Sequence, residues 1–204
     1  MCGIAGLVQY RETHSGEDLI RKMTQAIAHR GPDAVGIFVE GELSFGHRRL
    51  SIIDLSDAAN QPFADRSGRY IIVFNGEIYN YEEIKALIPD YPFRTSSDTE
   101  VLLAAFIKWG PDCLAYTRGM FAFAIWDRQE KELFLARDRM GVKPIYYYVD
   151  ENRLLFASEL RALLVTGLIP RKLDTKSLLD YFTYQSFTFP DTAIEGVRQV
   201  EAGR

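Results

Sequence analysis

The chain predicts an α+β fold in which antiparallel sheets carry a few helices, rather than a doubly wound parallel sheet. Two observations carry this. Short β-branched and aromatic runs outnumber the helical stretches, and most of them come in pairs joined by a few turn residues, as hairpins do. A length of 204 residues with 47% hydrophobic content is enough for a sizeable core without disulfide or metal staples. No internal repeat, low-complexity tract or long linker divides the chain.

Taken in order, Ile4-Ala5-Gly6-Leu7-Val8 is short, apolar and strand-like. From Glu17 to His29 the apolar residues Leu19, Ile20, Met23 and Ile27 recur at helical spacing, and Gly31-Pro32-Asp33 stops that helix. Val35 to Val39 and Leu43 to His47 read as a hairpin around Glu40-Gly41-Glu42. Tyr70 to Phe74 is a strand closed by Asn75-Gly76, a natural turn pair. Tyr81 to Ile88 predicts a short helix and Ser97 to Trp109 a longer one. Ser97 serves there as cap, Glu100 follows three residues on, and Gly110-Pro111 ends the helix. Phe121 to Trp126 and Leu133 to Ala136 are strands joined by a charged turn. Ile145 to Val149 and Leu154 to Phe156 form another hairpin, and Ser158 to Leu164 and Asp174 to Phe182 are helical. Glu195 to Val200 opens a further strand, and the chain stops at Gly203-Arg204 without a terminator, as if cut before a further domain.

The formal net charge of −4 gives no basic excess for nucleic acid or an anionic membrane. No opening run has the make-up of a signal peptide, and no apolar run approaches a membrane span. The expectation is a soluble cytoplasmic protein. Two cysteines, Cys2 and Cys113, make no disulfide framework, and no His/Cys spacing suggests a metal.

Cys2 is the first candidate for chemistry. Loss of Met1 would give one residue both a thiol and a free α-amine. An α-amine titrates near pH ~7.7–8.0 and so can accept a proton near neutrality; a base within reach of its nucleophile is what covalent catalysis requires. Alone, Met-Cys-Gly is better read as a small buried cysteine beside a start codon. Cys113, in an amphipathic stretch with Leu114, reads as a half-buried thiol. His14, His29 and His47 have no metal-ligand spacing, and a structural hydrogen bond suits His47 at its strand end. Arg49 is either a solvated face or a fork for a carboxylate. Asp98 is either a helix-dipole carboxylate or the partner of an ammonium. Asn75-Gly76 is a turn or, as chemistry, an amide and a backbone N–H aimed at one oxyanion.

Taken together, these segments resemble the glutaminase domain of glutamine-hydrolysing asparagine synthetase, a class II glutamine amidotransferase among the N-terminal-nucleophile hydrolases. The resemblance rests on Met1-Cys2-Gly3-Ile4-Ala5-Gly6, His29-Arg30-Gly31-Pro32-Asp33, Arg48-Arg49-Leu50-Ser51-Ile52, Phe74-Asn75-Gly76-Glu77-Ile78-Tyr79-Asn80 and Ser97-Asp98-Thr99-Glu100. It continues through Gly119 to Ala124, Arg137 to Pro144 and Phe156-Ala157-Ser158-Glu159, in the family's order over nearly the whole chain. Amidophosphoribosyltransferase, glucosamine-phosphate synthase and glutamate synthase share the opening, but the Asn75–Asn80 and Ser97–Glu100 runs look like the asparagine synthetase group. A degenerate glutamine-sensing module is the non-enzymatic alternative, and the intact Cys2, Asn75 and Asp98 argue against it.

The resemblance implies a four-layer αββα sandwich, with residues 1–204 forming one glutaminase domain. It implies that Cys2 attacks the glutamine amide and that Asn75 and the Gly76 N–H form the oxyanion hole. Arg49 would hold the α-carboxylate, and Asp98 the α-ammonium, helped by Glu77 and backbone groups of Leu50, Ser51, Ile52 and Ile53. It implies no cofactor for this domain; ATP and Mg belong to a C-terminal synthetase domain, whose Ser-Gly-Gly-x-Asp-Ser loop is not in this sequence. The partners implied are glutamine, that synthetase domain and a homodimer, with neither nucleic acid nor membrane. The acceptor of the ammonia is aspartate or another carboxylate.

Overall fold

In the computed structural model, which describes residues 1–11 and 14–203, ten strands form two antiparallel sheets. The six-stranded sheet runs in the order β10 (Val197–Gln199), β8 (Tyr146–Val149), β9 (Arg153–Ala157), β1 (Gly3–Gln9), β3 (Leu43–Arg49) and β2 (Ala34–Glu40). The four-stranded sheet runs β4 (Phe63–Ala64), β5 (Tyr70–Ile78), β6 (Gly119–Asp127) and β7 (Glu132–Arg137). Every strand pairing is antiparallel.

The layering follows from side-chain alternation along the central strands. In β1, Ala5 and Leu7 pack against Leu19, Ile20 and Met23 of α1 (Gly16–Ala26) and Ala162 and Leu163 of α5 (Leu160–Leu164). Ile4 and Val8, on the opposite face, meet Leu43, Phe45 and Phe156 of their own sheet and Ile71, Val73 and Ala124 of the other. The far face of the second sheet packs Phe74, Ile78 and Phe123 against α2 (Tyr81–Ala86), α3 (Asp98–Trp109) and α4 (Cys113–Tyr116). The result is a four-layer αββα sandwich, two antiparallel sheets between helices. Gly6 is required at its centre: a Cβ there would lie 2.1 Å from the Phe156 ring, which stacks edge-on against Phe45. The sixth helix, α6 (Thr175–Tyr184), lies outside these layers, with Leu179, Phe182 and Tyr184 exposed.

Several expectations shift. Asn75-Gly76 is not a turn: β5 runs on to Ile78, with Asn75 opposite Ala122 and Gly76 opposite Phe121. Gly76 serves close approach instead, since a Cβ would sit 2.4 Å from the Met120 carbonyl oxygen. Cys113 is fully buried rather than half-buried, and burial pushes its thiol up to about 12. Ser97 caps α3 as expected by accepting the Glu100 N–H. The Glu100 carboxylate, however, reaches back past Ser97 to the N–H groups of Arg94 and Thr95. The expected strand start at Glu195–Val200 is β10, which pairs with β8. Arg204 lies outside the described residues.

Candidate active site

The same alternation that builds the core builds the site. Cys2, two residues before Ile4, continues the inner side of β1. His47 and Arg49 continue the inner side of β3 after Phe45, and Asn75 and Glu77 that of β5 after Val73. β1 starts where β3 ends, with Gly3 opposite Arg48. Cys2, Arg49, Asn75 and Glu77 therefore converge at one end of the sandwich, where they line a cavity of about 150 Å³ together with Asp98. That is room for one small molecule.

Three elements fasten Cys2. The Arg30 Nε donates to the Cys2 carbonyl at 2.8 Å, and Arg30 Nη1 is itself held by Glu159 at 3.1 Å. The neighbouring Ile4 N–H donates to Ser158 Oγ, and Ser158 N–H returns a bond to the Ile4 carbonyl. The thiol lies 3.4 Å from the Leu50 N–H and 3.6 Å from the Leu50 carbonyl. Burial raises its pKa; the Leu50 N–H and the positive charges of the chain terminus and Arg49 pull the other way. A thiol in this state needs a base before it can attack. None of the three histidines lines the cavity. Burial lowers His47 to about 4, so it is neutral, and its Nε2–H donates to the Phe74 carbonyl at 3.1 Å, tying the two sheets together.

Arg49 is 7% exposed, and its guanidinium is largely engaged. Nη1 donates to the Ser56 carbonyl and to Asn60 Oδ1, both at 2.7 Å, and Nη2 donates to the Asp54 carbonyl. Of five N–H donors, this leaves Nε–H and one on Nη2 without an acceptor among the described residues, enough for a side-on fork with a carboxylate. Residues 50–60 are thereby drawn over the cavity. Asp54, held down to about 2 by bonds from Ser56 and Ser96, pins this loop to the approach of α3. Asp33 holds its start: Oδ2 accepts the Ser51 N–H at 2.8 Å.

Asp98, the first residue of α3, accepts the Ile78 N–H at 3.0 Å. Burial raises its carboxyl to about 6, against the pull of the Ile78 and Thr99 N–H groups and with the nearby Glu77 charge adding to the rise. A buried carboxylate beside a second carboxylate is short of positive charge, which is what an ammonium ligand supplies.

The free edge of β5 supplies the donors. Backbone N–H groups alternate between the two edges of a strand. The Phe74 N–H goes to Gln61 Oε1 at 2.6 Å and the Ile78 N–H to Asp98. The Gly76 N–H lies between them on that edge, and no side chain among the described residues accepts it. Asn75 Nδ2, buried on the inner face, also has no hydrogen-bond partner. Two adjacent unspent donors beside a thiol suit a developing oxyanion.

The structure thus brings together Cys2, Arg49, Leu50, Ile52, Ile53, Asn75, Gly76, Glu77 and Asp98 at one cavity. Ser51 is not part of its lining; its N–H is turned to Asp33. Gln61, Met120 and Lys143 also line the cavity, and sequence reasoning gave them no role. Gln61 had no signal, because it arrives on an irregular segment. Lys143 had one, as part of the Arg137–Pro144 stretch. Among the described residues no group of three or more His, Cys, Asp or Glu is placed to hold a metal ion, and no helix is long and apolar enough to cross a membrane.

The architecture matches that of the B. subtilis glutamine phosphoribosylpyrophosphate amidotransferase solved with ADP and GMP, with a TM-score of 0.68 and 24% identity over 81% of this chain and 44% of that one. Over residues 1–204 the sequence matches the model of the glutamine amidotransferase domain, and the chain belongs to that family. It is 40% identical over its whole length to asparagine synthetase [glutamine-hydrolyzing] 1 of Bacillus subtilis. It is 38% identical, also over its whole length, to amidase chry2 of Gibberella zeae. The chain spans about a third of the length of these relatives, 33% and 32% respectively.

Proposed function

We propose that this domain hydrolyses glutamine to glutamate and ammonia with Cys2, freed of Met1, as nucleophile. The observation that carries the reading is the convergence of the Cys2 thiol with two unspent donors, Asn75 Nδ2 and the Gly76 N–H, in a cavity with no histidine base. The Cys2 thiol passes its proton to its own α-amine as sulfur bonds to the amide carbon, and the carbonyl electron pair moves to oxygen, facing Asn75 and Gly76. The amine then gives that proton to the leaving nitrogen as the C–N bond breaks, releasing ammonia and leaving a γ-glutamyl thioester. Water cleaves the thioester to glutamate with the same amine as base. Arg49 holds the α-carboxylate, and Asp98 with Glu77 holds the α-ammonium. These contacts position the amide rather than activate it.

In the whole protein the ammonia passes to a C-terminal synthetase domain that amidates aspartate to asparagine, as the names of the bacterial relatives suggest. ATP and Mg serve that domain, and the glutaminase chemistry uses no cofactor. A homodimer and a cytoplasmic location complete the reading. The test is to purify the 204-residue chain, establish loss of Met1 by intact mass, and assay both products with and without aspartate and ATP. Equal glutamate and ammonia are expected, with no asparagine and no AMP. Undiminished hydrolysis by a chain bearing extra residues before Cys2 would refute the N-terminal mechanism.

A further inference from the structure

With Met1 in place Lys143 is buried at the cavity, and among the described residues the one hydrogen bond of its ammonium goes to the Met1 thioether at 3.3 Å. A thioether is a weak acceptor, and an ammonium carries three donors. No carboxylate forms an ion pair with Lys143 among the described residues. Burying an unpaired charge is costly, so a chain that does so needs a compensating use for it.

The surrounding loop is built to hold this residue. Asp138 Oδ2 accepts the Lys143 N–H at 2.9 Å, and its Oδ1 accepts those of Met140 and Val142. Arg137 Nε donates to the Lys143 carbonyl at 2.8 Å and Nη2 to the Gly141 carbonyl at 2.6 Å. Gly141 turns the chain at φ +63°, a conformation side-chain-bearing residues rarely adopt. The Arg137–Pro144 stretch is thus a backbone clamp whose product is one cation held against the Met1 side chain, at the cavity that Cys2 also lines.

We propose that Lys143 is a positioning residue for hydrolysis: once Met1 is removed, its ammonium faces the new Cys2 amine and holds it in the neutral, proton-accepting form. The inference rests on the reading of Cys2 as an N-terminal nucleophile. Two cations close together disfavour each other, so a fixed ammonium opposes protonation of the amine. The other charged groups around Cys2 do not replace it. Arg30, on the 28–30 turn, is paired with Glu159. Asp54, in the loop over the cavity, is tied to Ser56 and Ser96. Arg49 on β3, Glu77 on β5 and Asp98 on α3 are matched by the two charges of bound glutamine. Among the described residues around Cys2, Lys143 is the remaining cation without an ion-pair partner.

The test compares kcat against pH for the parent chain, Lys143→Met and Lys143→Arg, each shown by intact mass to begin at Cys2. In Lys143→Met the acidic limb of kcat moves up by about one pH unit. Turnover falls about tenfold at low pH and rejoins the parent at high pH. Lys143→Arg keeps the parent limb. The use of kcat separates this from titration of Asp98, which is paired with substrate in the bound state. If Lys143→Met does not fold, Lys143→Gln replaces it with the same expectation. A uniform loss at all pH values, an unmoved limb, or an equal shift in Lys143→Arg overturns the inference. An N-terminally extended chain that still hydrolyses glutamine overturns the Cys2 reading instead, whatever the Lys143 variants do.

Discussion

At the end of the cavity that would read an amino acid, the protein groups are mostly occupied before any ligand arrives. Arg49 donates to three loop acceptors, and Asp98 already accepts the Ile78 N–H. At the end where a bond would break, Asn75 Nδ2 has no partner among the described residues and the Gly76 N–H points from a free strand edge between two occupied neighbours. The difference separates two tasks. On the proposed reading, charges present in the ground state would be met by a prefixed frame, and charge that appears only on the way to the tetrahedral state by donors held open for it, which is where binding raises turnover.

The comparison breaks most visibly at Cys2. Extra residues ahead of it, or Cys2→Ala, are expected to lower kcat by about 10⁴–10⁶, read by glutamate release, while glutamine still binds at the far end. Next comes Asn75→Ala. Its loss should reduce kcat about 10²–10³ with KM little changed in steady-state kinetics; a rise in KM at constant kcat would move Asn75 to the reading end. Arg49→Lys should do the reverse. A lysine cannot hold Asp54, Ser56 and Asn60 together and still fork a carboxylate, so KM rises about 10–100-fold with a smaller effect on kcat.

Asp98 gives the smallest and most discriminating effects. With its carboxyl near 6, KM for glutamine should rise about tenfold per unit as pH falls below that value, because the neutral acid no longer attracts an ammonium. The same shift has a folding consequence. Folded Asp98 binds its proton more tightly than the unfolded residue with its ordinary value of 3.8. Its contribution therefore favours folding below about 4, fades as pH rises through about 6, and weighs against folding at neutral pH. Asp98→Asn should raise the melting temperature at pH 7.5 by roughly 2–4 °C while weakening glutamine binding. An unchanged or lower melting temperature would show that the buried charge is compensated by α3 and its donors.

Much of this was legible in the sequence, for identifiable reasons. Paired apolar runs reported the antiparallel sheets, because the central strands are covered on both faces, by helices on one side and the other sheet on the other, and so read as short continuous apolar runs. The α3 cap and its Gly110 stop were legible because both act within a few residues. Asn75-Gly76 misled, since the glycine there serves the approach of Met120 and Phe121 from β6, a constraint invisible until β6 is in place. The carboxylate of Glu100 reaching Arg94 and Thr95 is likewise a matter of how the chain enters α3. The site residues stood out through the family resemblance; taken singly, Cys2, Arg49 and Asp98 each had an ordinary structural explanation. Their convergence depends on the start of β1 meeting the ends of β3 and β5, which no local pattern encodes. Lys143 was legible only as a member of the Arg137–Pro144 stretch, because the residue it touches, Met1, is at the other end of the sequence.

The burial of Cys113 has a practical corollary. Its sulfur is out of reach of solvent and held protonated in α4, so a general alkylating reagent applied to the native chain should consume one equivalent, at Cys2. A glutamine-shaped electrophile should consume only that fraction of Cys2 bearing a free amine. The ratio of the two uptakes then counts competent active sites in any preparation, without altering a residue.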